Sequence, residues 1–231
     1  MNLTHFDEIA SVYDETLPPH VVEHYLAKRA AFVIEHSPPP ERLLDVGCGT
    51  GALAARLASA GYEVVGIDPS ERMLEVMRER VPAAQTVVGS ATDMPFDDGA
   101  FGLSISVATM HHIADSAAVR GALLEMVRVV RPGGRILVWD HNPRNPYWPY
   151  LMRRVPQDTG DERIVPADEI VAGLRAGGAE PVLVRELGLV PDFVPSRLLG
   201  AAAAIERGVE RTPLLRRLCA HNVVLAVKRS V

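Results

Sequence analysis

The segment Asp45-Val46-Gly47-Cys48-Gly49-Thr50-Gly51 constrains the fold more than any other part of the chain. Residues 42–46 have the pattern of a short buried strand, and residues 52–60 have the apolar spacing of a helix. Glycines between a strand and a helix let the backbone turn tightly and approach a ligand closely. The segment therefore predicts the opening strand, loop and helix of an α/β fold that binds a ligand at this loop.

The alternation of strands and helices continues beyond this loop. Residues 63–67 follow as a second strand, and strand and helix patterns alternate up to residue 228. Such alternation indicates a mostly parallel sheet between layers of helices. A chain of 231 residues with this pattern is expected to form one domain.

Composition excludes several classes of partner. The formal net charge is −5 and no basic cluster occurs, so a nucleic-acid substrate is not expected. The longest apolar run, Leu198–Ile205, is far shorter than the roughly 20 residues of a membrane span. Cys48 and Cys219 are too few for a disulfide framework or a zinc site, and no signal peptide is recognisable, so we expect a cytoplasmic protein. Nothing in the sequence indicates an oligomeric state.

Charge at the glycine loop favours one ligand over another. Gly47, Gly49 and Ala52 satisfy the dinucleotide fingerprint GxGxxG/A, and Asp68 ends the second strand where an acid can bind ribose hydroxyls. Asp45, however, lies two residues before the first glycine. Its carboxylate would repel a pyrophosphate and attract the ammonium and sulfonium of S-adenosylmethionine. The loop is therefore predicted to bind this methyl donor.

Two alternatives stay open at this point. A short-chain dehydrogenase would use a Tyr-x-x-x-Lys pair, which neither Lys28 nor Lys228 provides. Asp45 and Asp68 could also serve only as caps, Asp45 for the following loop and Asp68 for the helix after Pro69-Ser70. The two acids end consecutive strands of the first βαβ unit, which favours a shared ligand.

With these residues in place, the chain resembles the class I S-adenosylmethionine-dependent methyltransferases, in particular the group that methylates quinones and other metabolites. The landmarks are Leu44-Asp45-Val46-Gly47-Cys48-Gly49-Thr50-Gly51, Gly66-Ile67-Asp68-Pro69-Ser70 with Met73-Leu74, Pro95-Phe96 followed by Asp97-Asp98-Gly99, Met110-His111-His112-Ile113 and Arg131-Pro132-Gly133-Gly134. The resemblance implies a Rossmann-like three-layer sandwich with a seven-stranded, mostly parallel sheet. Its last strand, Val223–Lys228, would be antiparallel.

The resemblance also implies how the chain is divided. One methyltransferase domain would cover residues 1–231, with an N-terminal helical cap at 1–40. Two acceptor-side insertions would lie at 141–165 and 188–220.

Donor contacts follow from the same resemblance. The glycine loop would hold the methionine part, and Pro69 and Met73 would flank the adenine. The predicted donor-binding residues are Tyr13, Asp45, Gly47, Cys48, Gly49, Gly51, Asp68, Pro69, Met73, Ser90, Ala91 and Val107. The family often has Gly-Asp-Ala where this chain has Gly89-Ser90-Ala91. Whether Ser90 or Asp93 faces the adenine is therefore open.

The chemistry requires little of the protein beyond positioning and proton removal. Methyl transfer is an in-line displacement, so alignment of donor and acceptor supplies much of the acceleration. An oxygen acceptor must also lose a proton, and histidine is the usual base. His111 and His112 follow the fourth predicted strand and His141 follows the fifth, so these three are the candidate bases. They could instead only orient the loops through hydrogen bonds.

We predict no metal ion. In certain quinone O-methyltransferases the equivalent of His112 joins two acids in a metal site, but Ala108 and His111 occupy the positions of those acids. The predicted function is methyl transfer from S-adenosylmethionine to a small molecule, an oxygen of a natural product, lipid or quinone-like metabolite. The alternatives are N- or C-methylation, or a cyclase or partner protein that binds the donor without transferring its methyl group.

Overall fold

A computed structural model describes residues 3–157 and 162–230. Residues 1, 2 and 231 of the predicted domain, and residues 158–161 of the predicted insertion at 141–165, lie outside the described residues. The strands are β1 (Arg42–Val46), β2 (Glu63–Asp68), β3 (Gln85–Val88), β4 (Phe101–Val107), β5 (Val130–His141), β6 (Ala179–Leu187) and β7 (His221–Lys228).

Helices precede the sheet and connect its strands. They are α1 (Leu3–Ile9), α2 (Pro19–His36), α3 (Ala52–Ser59), α4 (Glu71–Arg80), α5 (Ser116–Arg128), α6 (Trp148–Leu151), α7 (Ala167–Ala176) and α8 (Leu199–Arg211). Short 3-10 turns lie at Tyr13–Glu15, Met110–His112, Ser196–Leu198 and Leu215–Leu218.

Within the described residues, the seven strands form one sheet in the order β3-β2-β1-β4-β5-β7-β6. The first five strands in this order are parallel, and β7 runs antiparallel to both β5 and β6. The prediction of a Rossmann-like sheet with an antiparallel last strand is confirmed. Because the carboxyl ends of β1, β2, β4 and β5 lie at one edge, the residues that follow these strands converge there.

Alternating side chains of each central strand supply two hydrophobic layers. Leu44 of β1 packs in a cluster with Leu123 of α5 and Leu174 of α7 on one face of the sheet. Leu43 packs on the other face, in a cluster with Leu57 of α3. This alternation buries both faces of a parallel sheet and accounts for the three layers.

Two element boundaries differ from those that the sequence pattern predicts. The apolar spacing from Phe6 to Tyr13 predicts a single helix, but α1 ends at Ile9 and a separate 3-10 turn begins at Tyr13. The β5 strand begins at Val130, although Pro132-Gly133-Gly134 reads as a turn. Phe101 of β4 pairs with Val130, and Leu103 pairs with Arg135. Residues 131–134 of β5 therefore form a bulge in the pairing with β4.

A buried glutamate joins α8 to α2 and to the loop after β6. Glu206 accepts hydrogen bonds from His24 and Lys28 of α2, and its other oxygen accepts from the backbone N–H groups of Leu189 and Val190. Its side chain is 2% exposed. Burial opposes its ionisation, but the attraction of Lys28 and these hydrogen bonds lower its pKa. Glu206 therefore holds the loop at 189–190 against α2.

Replacing Glu206 by alanine should lower the free energy of unfolding by about 3 kcal/mol, because Lys28 and two backbone donors lose a buried partner. Urea denaturation measures this loss. Glu63→Ala is the matched control, since Glu63 pairs with Arg42 at a side-chain exposure of 71% and should contribute less than about 1 kcal/mol. Equal effects of the two variants would show that Glu206 does not stabilise the fold through these contacts.

Candidate functional site

The glycine loop follows β1 at the carboxyl edge of the sheet. Gly47, Gly49 and Gly51 all have positive φ angles, of 73°, 52° and 75°. A Cβ at Gly47 would lie 2.3 Å from the Thr109 side chain, and one at Gly51 would lie 2.5 Å from Met77. A Cβ at Gly49 would meet nothing within 4 Å. Protein packing thus accounts for the outer two glycines, whereas Gly49 borders open space.

Asp45 places a buried carboxylate beside this space. The residue is 3% exposed and lines a large cavity that begins at the glycine loop. Its carboxylate accepts no hydrogen bond from the part of the chain that the structure describes. Burial and, to a smaller extent, the neighbouring Asp68 raise the pKa of Asp45 to about 7. A cationic ligand would stabilise the ionised form of this buried carboxylate. Asp45 therefore fits the ammonium and sulfonium of S-adenosylmethionine.

Asp68 connects β2 to the glycine loop. One carboxylate oxygen accepts from the Gly49 N–H at 2.9 Å, and the other accepts from the Ser70 N–H at 2.9 Å. Burial raises the pKa of Asp68, while these two hydrogen bonds act in the opposite direction. The carboxylate is held at the position where the family resemblance places a ribose.

The N-terminal turn packs over the same loop. Asp14 accepts a hydrogen bond from the Thr50 hydroxyl at 2.9 Å and forms an ion pair with Arg80. Arg80 also donates to the Thr50 carbonyl at 2.8 Å. These contacts hold the neighbouring Tyr13 at the cavity.

A cavity of about 610 Å³ extends from the glycine loop along the edge of the sheet. Beyond the loop, its apolar lining includes Trp148, Leu151, Val190 and Phe193 of the predicted insertions, together with Val21 and other residues of α2. The sequence-predicted site residues that line it are Tyr13, Asp45, Gly47, Cys48, Gly49, Val107, His111, His112 and His141. All three candidate bases therefore face the same space as the glycine loop.

A smaller recess adjoins this cavity. Its volume is about 30 Å³, and Asp68 and Met73 line it together with Phe6. The Phe6 ring packs on Met73 and lies edge-on to His112, with centroids 5.1 Å apart. A space of this size holds a water molecule but not an adenine ring. In this conformation α1 closes the end of the site where the resemblance places the adenine.

Four predicted donor-binding residues lie outside the linings of both cavities, Gly51, Pro69, Ser90 and Ala91. Gly51 packs against Met77. Ser90 is exposed and bonds to Thr92, and Asp93 is exposed as well. Neither Ser90 nor Asp93 lines the cavity or the recess beside Met73.

Asp140, at the end of β5, organises the candidate bases. Its Oδ1 accepts from His111 Nδ1 and from the His141 N–H, both at 2.7 Å. Its Oδ2 accepts from the backbone N–H groups of Thr109 at 3.1 Å and Met110 at 2.7 Å. Burial alone would raise the pKa of Asp140, but the attraction of His111 and these hydrogen bonds lower it. An ionised Asp140 fixes the proton of His111 on Nδ1, so Nε2 carries the basic lone pair.

The same residues have the spacing of a metal site. Ligand atoms of His111, Asp140 and His141 lie within 4.8 Å of one another. Each oxygen of Asp140, however, already accepts two hydrogen bonds from the protein. This arrangement favours a hydrogen-bonding role, and the absence of a metal stays a prediction.

The other histidines form a stack next to His111. The ring centroids of His111 and His141 lie 3.9 Å apart, and Trp148 covers the other side of His141 at 3.6 Å. Burial and the neighbouring His111 lower the pKa of His112 to about 3. Burial, His111 and His221 lower the pKa of His141 well below its ordinary range. Both rings are therefore neutral at pH 7.

Three site residues are absent from the sequence predictions. Asp140 directly precedes the candidate base His141, and an acid beside a histidine at the end of a strand is a signal that the sequence offers. His221 of β7 and Arg29 of α2 also line the cavity. Nothing in their local sequence indicates this, because tertiary packing alone brings α2 and β7 to the site.

Within the described residues, no helix combines the length and the apolar character that crossing a membrane requires.

Comparison with known proteins identifies relatives of the chain. The family described as methyltransferase domain matches residues 44–138. A demethylmenaquinone methyltransferase of Renibacterium salmoninarum is 32% identical over 164 residues, which cover 65% of this chain and 68% of the relative. An uncharacterized methyltransferase of Mycobacterium bovis is 40% identical over 108 residues, which cover 46% of this chain and only 43% of that relative.

A solved structure shares the fold. The S-adenosylmethionine-dependent methyltransferase of Thermotoga maritima superposes with a TM-score of 0.69 at 20% identity, over 98% of this chain and 99% of that chain. At this identity the similarity concerns the fold.

The buried carboxylate of Asp45 makes stability depend on pH. Its pKa is about 7 in the folded chain and 3.8 in the unfolded reference, so the folded state binds the proton more tightly. The stability that this proton contributes is present below about pH 4 and is lost as the pH rises to about 7. Asp45→Asn should therefore melt above the wild type at pH 8, by about 2–4 °C per kcal/mol relieved. Thermal melts at pH 5 and pH 8 test this, and a lower melting temperature of the variant at pH 8 would contradict it.

Proposed function

Because the chain belongs to the class I S-adenosylmethionine-dependent methyltransferases, we propose that it transfers a methyl group from S-adenosylmethionine to an oxygen of a small, largely apolar acceptor. The observation that carries this proposal is the His111–Asp140 pair on a cavity that is continuous with the glycine loop. The pair can remove a proton from an acceptor, and the loop side of the cavity suits a cationic donor.

The donor end uses residues that end β1 and β2. Asp45 would attract the ammonium and sulfonium, and Asp68 would accept hydrogen bonds from the ribose hydroxyls. Gly49 leaves the space that the ligand needs. Bound there, S-adenosylmethionine supplies an electrophilic methyl group. Tyr13 would cover this end of the cavity.

The acceptor end is formed by the segments at 141–165 and 188–220. Trp148 and Leu151 come from the first segment and Val190 and Phe193 from the second, and all four line the cavity. A cavity of about 610 Å³ with this lining can enclose a bicyclic aromatic molecule. The demethylmenaquinone methyltransferases among the relatives support a quinol-like acceptor.

His111 is the proposed general base. Asp140 accepts a hydrogen bond from Nδ1 of its ring, so Nε2 is the basic nitrogen. His112 and His141 are poorer candidates because burial lowers the pKa of each. A positioned base typically contributes a factor of roughly 10²–10⁴ to the rate.

A direct test is incubation with methyl-labelled S-adenosylmethionine and reduced 1,4-naphthoquinone or its hydroxylated derivatives. Transfer of label to oxygen together with S-adenosylhomocysteine formation is the expected result. Label on carbon or nitrogen would contradict the assignment of the acceptor atom. Donor binding with no S-adenosylhomocysteine formed on any acceptor fraction from the source organism would instead favour a non-methylating cyclase or partner protein.

Donor affinity should fall as the pH drops below about 7, by up to roughly tenfold per pH unit, because the cation requires ionised Asp45 and protonation of this residue competes with binding. Calorimetric titration with S-adenosylmethionine between pH 5 and pH 7.5 measures this slope. Asp45→Asn should bind weakly at every pH in this range, and Asp97→Asn at an exposed position should behave as wild type. A slope that persists in Asp45→Asn would contradict the assignment.

Replacing His111 by glutamine should lower turnover by roughly 10²–10⁴-fold and leave donor affinity almost unchanged. Asp140→Asn should also lower turnover, because the His111 tautomer is no longer fixed. His36→Gln, at the end of α2 and outside the cavity lining, is the matched control. Full activity of His111→Gln would show that the acceptor needs no base or that another residue supplies it.

A further inference from the structure

A partly buried arginine without a hydrogen-bond acceptor or an anionic partner among the described residues lines the cavity. Arg29 of α2 forms no ion pair or hydrogen bond with any residue in the described ranges 3–157 and 162–230, and its Nε is buried without a partner. Its guanidinium carbon lies 5.8 Å from the centroid of the Tyr25 ring. Burial of Nε removes part of the guanidinium from water, and no carboxylate offsets this cost, so an anion from outside the chain would be a favourable partner.

The nearby protein acceptors are already engaged. Asp140 lies close enough to Arg29 to act on its pKa, but burial has the larger effect and lowers that pKa. Both oxygens of Asp140 accept hydrogen bonds from other donors, including His111 and His141. The Tyr25 hydroxyl donates to the Val190 carbonyl at 2.8 Å. None of these groups is therefore oriented to satisfy the guanidinium.

Two further polar atoms near Arg29 lack partners. The Nδ1 atoms of His141 and His221 are buried and make no hydrogen bond within the described part of the chain. The two ring centroids lie 5.9 Å apart, and both residues line the cavity with Arg29. Burial and then Arg29 lower the pKa of His221 well below its ordinary range, so this ring is neutral at pH 7. Neutral imidazoles can donate to an anion without adding charge.

The surrounding surface is rich in aromatic rings. The Trp148 ring stacks on His141 with a centroid separation of 3.6 Å, and Tyr25 and Trp148 both lie edge-on to His221. Planar guanidinium groups bind carboxylates through two parallel hydrogen bonds. These features together favour a carboxylate on a planar ring over an aliphatic anion.

We infer that the acceptor is an aromatic carboxylate, whose carboxylate group binds Arg29 between His141 and His221 while its reacting oxygen points toward His111 and the glycine loop. This inference rests on the proposed function, because it takes the cavity to be the acceptor site. It narrows the acceptor from quinol-like molecules in general to those that carry an acidic substituent.

Binding of 2-naphthoate and 1-hydroxy-2-naphthoate, each compared with its carboxamide, tests the inference without methyl transfer. In calorimetric titrations at pH 7.5, we expect wild type to bind at least one acid roughly 10- to 100-fold more tightly than the matching amide. Arg29→Met should abolish this preference and leave amide affinity nearly unchanged. Arg29→Lys should keep part of the preference, because it retains the charge but not the planar pair of donors.

Controls separate this result from effects on folding and on net charge. Arg120→Met removes an exposed arginine outside the cavity lining and should leave the preference for acids intact. Arg29→Met should melt no lower than wild type without ligand, since it removes an unpaired buried charge.

A wild type that binds neither acid more tightly than its amide, or a preference that survives in Arg29→Met, overturns the inference. Methyl transfer to neutral quinols could still be observed in that case. Arg29-dependent binding of acids without any methyl transfer would instead contradict the proposed function.

Discussion

The carboxylate of Asp140 is the interaction on which the arrangement of the site depends. It accepts four hydrogen bonds from residues that follow β4 and from the backbone at the end of β5. These bonds hold the turn at Met110–His112 next to Ala108, whose φ of 55° is unusual for a residue with a side chain. Loss of this acceptor would leave three backbone donors and one imidazole without this partner in a buried place. The orientation of His111 and the position of the turn therefore have a common cause.

Charge is distributed along the cavity in a way that suits a cationic donor and an anionic acceptor. Asp45 and Asp68 lie at the glycine loop, and Arg29 lies on α2. Arg29 does not contribute to the pKa of Asp45, which burial and Asp68 determine. The two unpaired charges thus do not neutralise each other. Methyl transfer from a sulfonium to an oxyanion removes both charges, and a largely apolar cavity lining favours that loss.

Local sequence predicts the parts of the site that follow single strands. The glycine loop, Asp68, His111 and His141 all lie at or just beyond the ends of strands with clear apolar patterns, and the parallel sheet then places them at one edge. The start of β5 could not be predicted, because Pro132-Gly133-Gly134 has the local features of a turn. Its inclusion in the strand depends on pairing with β4, which local sequence does not specify.

Contacts between distant segments place the cavity residues that local sequence did not predict. His221 reaches the cavity because β7 lies between β5 and β6, and Arg29 reaches it because α2 packs beside the sheet. Phe6 lines the recess near Asp68 only because α1 packs on Met73 of α4. The acids proposed to attract the donor, Asp45 and Asp68, thus belong to the sheet edge, whereas most of the remaining cavity lining belongs to segments packed onto it. A cavity built in this way can change its acceptor through α2 and the segments at 141–165 and 188–220, while β1, β2 and the glycine loop keep the same donor site.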